Sequence, residues 1–143
     1  MAWVEKYRIT FKDNYGVNWT RKIYKDGFAG TLTNLTATGS PLSFRWNSEE
    51  DDLFDPIHEL EATSQVHASD NFQLEDLYSE EDMHFKVEDY YGATLFFSGY
   101  VAPGDCKEPY EDYPYPVDIV ANCGLSYLKD ILFEDAGTYY NGR

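Results

Sequence analysis

Positive charge is scarce in this chain: 11 Lys and Arg stand against 26 Asp and Glu, for a net charge of -15. Nucleic acid and anionic membrane are thereby disfavoured as main partners, because both are bound by basic groups that neutralise phosphates. No apolar run reaches membrane-spanning length, and the opening residues Met1-Ala2-Trp3-Val4-Glu5-Lys6 lack the apolar core of a signal peptide. Cytoplasmic synthesis without membrane insertion is expected. The two cysteines, Cys106 and Cys123, are too few for a disulfide scaffold and lack C-x-x-C spacing. They are expected to be free thiols, Cys123 largely buried behind a strand and Cys106 in a loop.

Catalytic signatures are missing as well. His58, His67 and His84 are dispersed, with no H-x-x-x-H pair and no cysteine nearby, so only the fold itself would assemble a zinc cluster from them. There is no glycine-rich phosphate loop, no G-x-S-x-G turn and no Cys/His signature. The acidic run Asn47 to Asp55 lacks the spaced Asp-x-Asp-x-Asp-Gly of a calcium hand. A glycosidase needs only two suitably separated carboxylates, but with 26 acids some pair fits by chance. The expectation is a protein that is not an enzyme, with no cofactor and no metal.

What the chain does contain fits one folded β-rich unit over residues 1-143. Its length suits a single domain, and 43% hydrophobic and 17% aromatic residues supply a core. The charge is polarised along the chain. From Met1 to Trp46 seven bases face three acids, a net of +4, while the remainder has four bases and 23 acids, a net of -19. Such a division favours electrostatically steered contacts between copies or with a partner. Arg21 and Lys22 are the basic residues expected at such a contact, where their reversal to Glu would weaken association without altering thermal stability.

Alternation of period two predicts the strands. Tyr7, Ile9 and Phe11, then Val17, Trp19 and Ile23, flank the turn Asp13-Asn14-Tyr15-Gly16. A strand is expected within the Thr-rich stretch 28 to 38, another over Leu42, Phe44 and Trp46, and another from Leu60 to Ala68. Met83, Phe85 and Val87 lead into a hairpin at Tyr90-Tyr91-Gly92 followed by the apolar run 93 to 102, and Val117, Ile119 and Ala121 mark the last strand. Asn47 to Asp55 is expected as a solvated loop. Two short helices are expected, one capped by Asp70-Asn71 and holding Phe72 to Tyr78, the other over Gly124 to Phe133 with Leu125, Leu128, Ile131 and Leu132 on one face. The fold class is mainly β, an antiparallel barrel or sandwich with one or two short helices.

Three tryptophans and thirteen tyrosines invite a binding reading. Most of the rings alternate with polar residues inside strands, as core rings do. Tyr110, Tyr113 and Tyr115 are the exception, since they sit in the Pro-rich stretch Glu108 to Pro116, where stiffened aromatics cost little to order on binding. They are the first candidate for an interface. The segments Leu53-Phe54-Asp55-Pro56-Ile57, Asp70 to Tyr78, Gly99-Tyr100-Val101-Ala102-Pro103, Glu108-Pro109-Tyr110, Tyr115-Pro116-Val117 and Gly124-Leu125-x-x-Leu128-Lys129-Asp130 resemble, in that order, the N-terminal region of phage and prophage tail-tip or baseplate-hub-like proteins. That resemblance implies a structural role in a virion tail or related injection machine, with other tail proteins or copies in a ring as partners, and no catalysis. It also implies that residues 1-143 form the N-terminal part of a longer protein or a shortened member. The alternative is a stand-alone carbohydrate- or ligand-binding β-sandwich module.

Overall fold

The structure is a computed structural model that describes residues 2-47, 59-81, 83-125, 127, 134-135 and 138-139. Eight strands form one sheet: β1 (Trp3–Lys12), β2 (Asn18–Asp26), β3 (Thr33–Leu35), β4 (Ser43–Asn47), β5 (Glu59–His67), β6 (Phe85–Tyr91), β7 (Thr94–Val101) and β8 (Pro116–Cys123). Their spatial order is β3-β1-β2-β6-β7-β8-β5-β4. Two-residue strands β9 (Glu134–Asp135) and β10 (Thr138–Tyr139) pair separately. The fold is therefore mainly β and sandwich-like, as the alternation predicts.

The expected hairpins form. Gly16 and Gly92 take positive φ, 78° and 59°, in the turns that join β1 to β2 and β6 to β7, a conformation that costs glycine little because it has no Cβ. Inward positions of the strands build the core: Tyr7 and Ile9, Ile23, Ala62 and Val66, Phe85 and Val87, Phe97 and Val101, then Val117, Ile119 and Ala121 are all buried. Burial of each large aliphatic or aromatic side chain contributes about 1.5–3 kcal/mol. Gly99 permits β7 and β8 to approach, because a Cβ there would lie 2.2 Å from the Asn122 carbonyl oxygen.

The sheet curls back on itself. β2 and β5 are four places apart in strand order, yet Arg21 on β2 donates to Ser64 on β5. The segment after β3 adds a seam. Thr33–Leu35 pairs with Tyr7, Arg8 and Ile9 of β1, and the next residues bond to β5, with Thr38 N–H donating to Gln65 O at 3.1 Å and His67 N–H to Thr36 O at 2.9 Å.

Several expectations need correction. β3 pairs parallel to β1, so the sheet is mixed, and only three residues of the Thr-rich stretch form a strand because this segment leaves β1 for β5. The helix expected after Asp70-Asn71 is a single 3-10 turn, Leu74–Leu77. Its N-cap is Gln73, whose backbone N–H donates to Asp76 Oδ2 at 3.0 Å in a capping box; Ser69 to Phe72 is spent on a preceding turn. Phe72 and Leu77 are nonetheless fully buried and plug one end of the core, Phe72 standing edge-on to Tyr7 at 5.2 Å. No disulfide joins the two cysteines, and both are half-buried. The acidic loop, from residue 48 on, and the helix expected over Gly124 to Phe133, apart from residues 124, 125 and 127, lie outside the described residues.

Candidate functional site

The tyrosines singled out from sequence come together at the plugged end. The loop that carries them is fastened at both sides. On one side, Lys107 and Asp118 exchange backbone hydrogen bonds at 2.8 and 3.1 Å. Cys106 Sγ also accepts from Val120 N–H at 3.3 Å and donates to Ala102 O at 3.4 Å. Burial, followed by the nearby Asp105 and Asp118 charges and against the Val120 hydrogen bond and the Arg21 charge, raises the Cys106 thiol pKa. This cysteine fastens the loop to β8. On the other side, Tyr115 O accepts from Ala68 N–H at 2.9 Å as β8 begins.

Between these fastenings the rings are displayed. Tyr113 and Tyr115 lie 5.1 Å apart at 56°, and the Tyr113 hydroxyl accepts from Gln73 Nε2 at 3.0 Å, which ties the loop to the 3-10 turn. Tyr113 is 49% exposed, Tyr78 at the end of the turn 72%, and Tyr110 fully exposed. Partial burial, then the Glu108 charge and the Tyr113 hydroxyl, raises the Tyr115 hydroxyl pKa.

Two cavities open here. One, of about 210 Å³, is lined by Leu74, Glu75, Leu77, Tyr78, Pro103 and Glu108. The other, of about 460 Å³, is lined by Glu108, Pro109, Tyr110, Glu111, Asp112 and Tyr115. Among the described residues their walls carry four carboxylates and neither Lys nor Arg. A third groove, of about 490 Å³ on the outside of β4, β5 and β8, mixes Arg45 and Lys107 with Glu59, Glu61, Asp105 and Asp118. Among the described residues no group of three or more His, Cys, Asp or Glu is placed to hold a metal ion.

Arg21 and Lys22 do not join the tyrosines, and Arg21 is no surface residue. Its side chain is 1% exposed and forms a two-pronged pair with Asp89, Nε to Oδ1 at 2.6 Å and Nη2 to Oδ2 at 2.7 Å. It also donates to Ser64 Oγ at 2.9 Å, Ala62 O at 3.3 Å and Ile119 O at 3.4 Å. The reason is phase: Arg21 and Ile23 occupy inward positions of β2, and Lys22 between them points outward, its ammonium 4.8 Å from the centre of the Tyr90 ring. Reversing Arg21 would thus put a carboxylate against Asp89 inside the core.

Sequence reasoning missed an aromatic cluster at the opposite end. Trp19 meets Phe44, Tyr91 and Phe96 at 5.8, 5.0 and 5.3 Å and lies parallel to Phe11 at 6.4 Å. The ladder slips between Asp89 and Tyr90, leaving Phe96 as the extra residue of a bulge, and Leu95 and Phe96 remain half exposed. The alternation break at Leu95-Phe96-Phe97 is the signal that marks it in the sequence. Compared with known proteins, the chain matches no family model, no curated protein and no solved structure.

Proposed function

We propose that this chain is an assembly domain that works through protein–protein contacts, as a component of a phage tail or related injection machine, and that it docks through the face built from Tyr78, Tyr110, Tyr113 and Tyr115. One observation carries this reading: exposed tyrosines outside any strand are held by fastenings to Ala68 just after β5, to β8 and to the N-cap of the 3-10 turn. Rigid aromatic anchors lose little freedom on binding and dominate interface energetics. The tail context rests on the resemblance of the segments quoted above, which run through nearly the whole chain.

The test is co-expression with the products of neighbouring genes, using the native chain and a Tyr110→Ala/Tyr113→Ala variant. A stoichiometric complex is expected, weakened roughly thirtyfold or more in the variant, the scale of a hot spot, while the variant keeps its folded spectrum. A complex of equal affinity in the variant would refute the docking face.

A second reading, a glycan-binding module, draws on the 460 Å³ cavity, where Tyr110 and Tyr115 stand beside Glu108, Glu111 and Asp112. Rings to stack on sugar faces and carboxylates to accept from hydroxyls are the groups such a site uses. Glycan-array binding that Tyr110→Ala abolishes would favour it.

A further inference from the structure

Resting on the docking face just proposed, we infer that its occupant is a basic segment of a partner protein carrying one aliphatic side chain, which enters the cavity between the 3-10 turn and Pro103. The apolar part of that cavity is Leu74, Leu77, Pro103 and the Tyr78 ring, and its 210 Å³ suits a single side chain rather than a whole small molecule. Glu75 and Glu108 stand at its wall, and Glu111 and Asp112 continue the acidic lining into the adjoining cavity. A site that offers apolar surface beside carboxylates, with no Lys or Arg among its described lining residues, selects a hydrophobic group flanked by Lys or Arg. The charges steer the encounter and the buried group sets how long it stays.

A second copy of this chain is a poor source of that segment, because most of the bases in its described N-terminal part are engaged at home. Arg8 pairs with Glu5 and Arg21 with Asp89. Lys6, Lys22 and Lys25 lie 4.8, 4.8 and 5.6 Å from the ring centres of Tyr7, Tyr90 and Phe85. Five of the seven bases in the first 46 residues are thereby held. Using them to dock would first require those contacts to break.

The intact chain is titrated with three capped seven-residue peptides. The first has a central leucine with two bases on each side, the second alanine at the centre, and the third glutamate in place of every base. The leucine peptide is expected to bind, with amide shifts centred on Leu74, Leu77 and Tyr78. The alanine peptide should bind roughly tenfold or more weakly, the cost of losing the buried methylene and methyl groups, and the acidic peptide should not bind. Glu75→Gln/Glu108→Gln should weaken the leucine peptide at low salt while its folded spectrum is retained, and Tyr78→Ala, at an exposed position, gives a second, independent loss.

Equal affinity for the leucine and alanine peptides, shifts spread over all the acids, or no binding at all would overturn the inference. So would a concentration-dependent dimer of the chain alone at low salt that the leucine peptide dissociates, since the occupant would then be another copy. If the peptides fail while Tyr110→Ala/Tyr113→Ala still abolishes the co-expressed complex, the docking face stands and only the occupant is wrong. If the complex ignores the tyrosines, the face itself is wrong.

Discussion

Strands β2 and β6 carry an ion pair on each of their two faces, and the pairs differ in almost everything except charge. Inside, Arg21 and Asp89 are cross-strand neighbours, 1% and 0% exposed. Outside, two positions along β6, Lys86 and Glu88 are 28% and 13% exposed, with Nζ and Oε1 2.5 Å apart. The inner pair has given up water on all sides, so it is held by geometry: two prongs to the carboxylate, with a hydroxyl and two carbonyls for the remaining N–H groups. The outer pair belongs to a looser set, in which Tyr90 also donates to Glu88, at 2.7 Å, and Lys86 lies 5.7 Å from the Tyr24 ring centre. Burial, not charge, decides how much each matters.

The largest effect should come from leaving half of the inner pair behind. Asp89→Ala strands the Arg21 guanidinium in the core, and urea denaturation is expected to show a loss of about 3–5 kcal/mol. Replacing both members with apolar groups, Arg21→Met/Asp89→Leu, should recover most of that loss, because no uncompensated charge then remains. A double variant as unstable as Asp89→Ala would mean that the donations to Ser64, Ala62 and Ile119 outweigh the pair. Glu88→Gln, on the outer face, should cost only ~0.2–1 kcal/mol and less in 1 M salt. If it matched Asp89→Ala, the contrast between the faces would collapse.

The outer pair also responds to pH. Burial alone would raise the Glu88 pKa, but hydrogen bonds from Lys86, Tyr90 and Tyr24, with the Lys86 charge, outweigh it and leave the pKa lower than usual. The folded chain therefore holds this carboxylate ionised to lower pH than the unfolded chain does. Its contribution is complete above the ordinary glutamate range and is lost as the pH falls through the folded value. A stability profile of Glu88→Gln against the native chain should converge at acid pH and separate above it.

Much of the fold was legible because alternation survives where one face is buried. Tyr7, Ile9, Val87, Val117 and Ile119 were placed correctly by period alone, and the two tight turns by their glycines. Arg21 was misplaced by weighing its charge above its phase, although Arg21 follows the inward Trp19 and precedes Ile23, just as Asp89 follows Phe85 and Val87. Two opposite charges, each in the apolar phase of its strand, were the available signal. The parallel pairing of Thr33–Leu35 was not legible, since three residues joining partners distant in sequence leave no periodic trace. Of the interface, the Tyr110 loop could be read from its prolines, but the cavity beside it needs Leu74 and Pro103 brought together by the fold.

The seam formed by residues 33 to 38 has a kinetic consequence. This short run touches residues 7 to 9 on one side and 65 to 67 on the other, so its full set of contacts needs two strands that are distant in sequence. The hairpins β1–β2 and β6–β7 close over a few residues, so by loop-closure entropy they are expected to form before the seam. Substitutions within it should hasten unfolding and leave the refolding rate nearly untouched, making these few residues the latch that sets how long the folded domain persists.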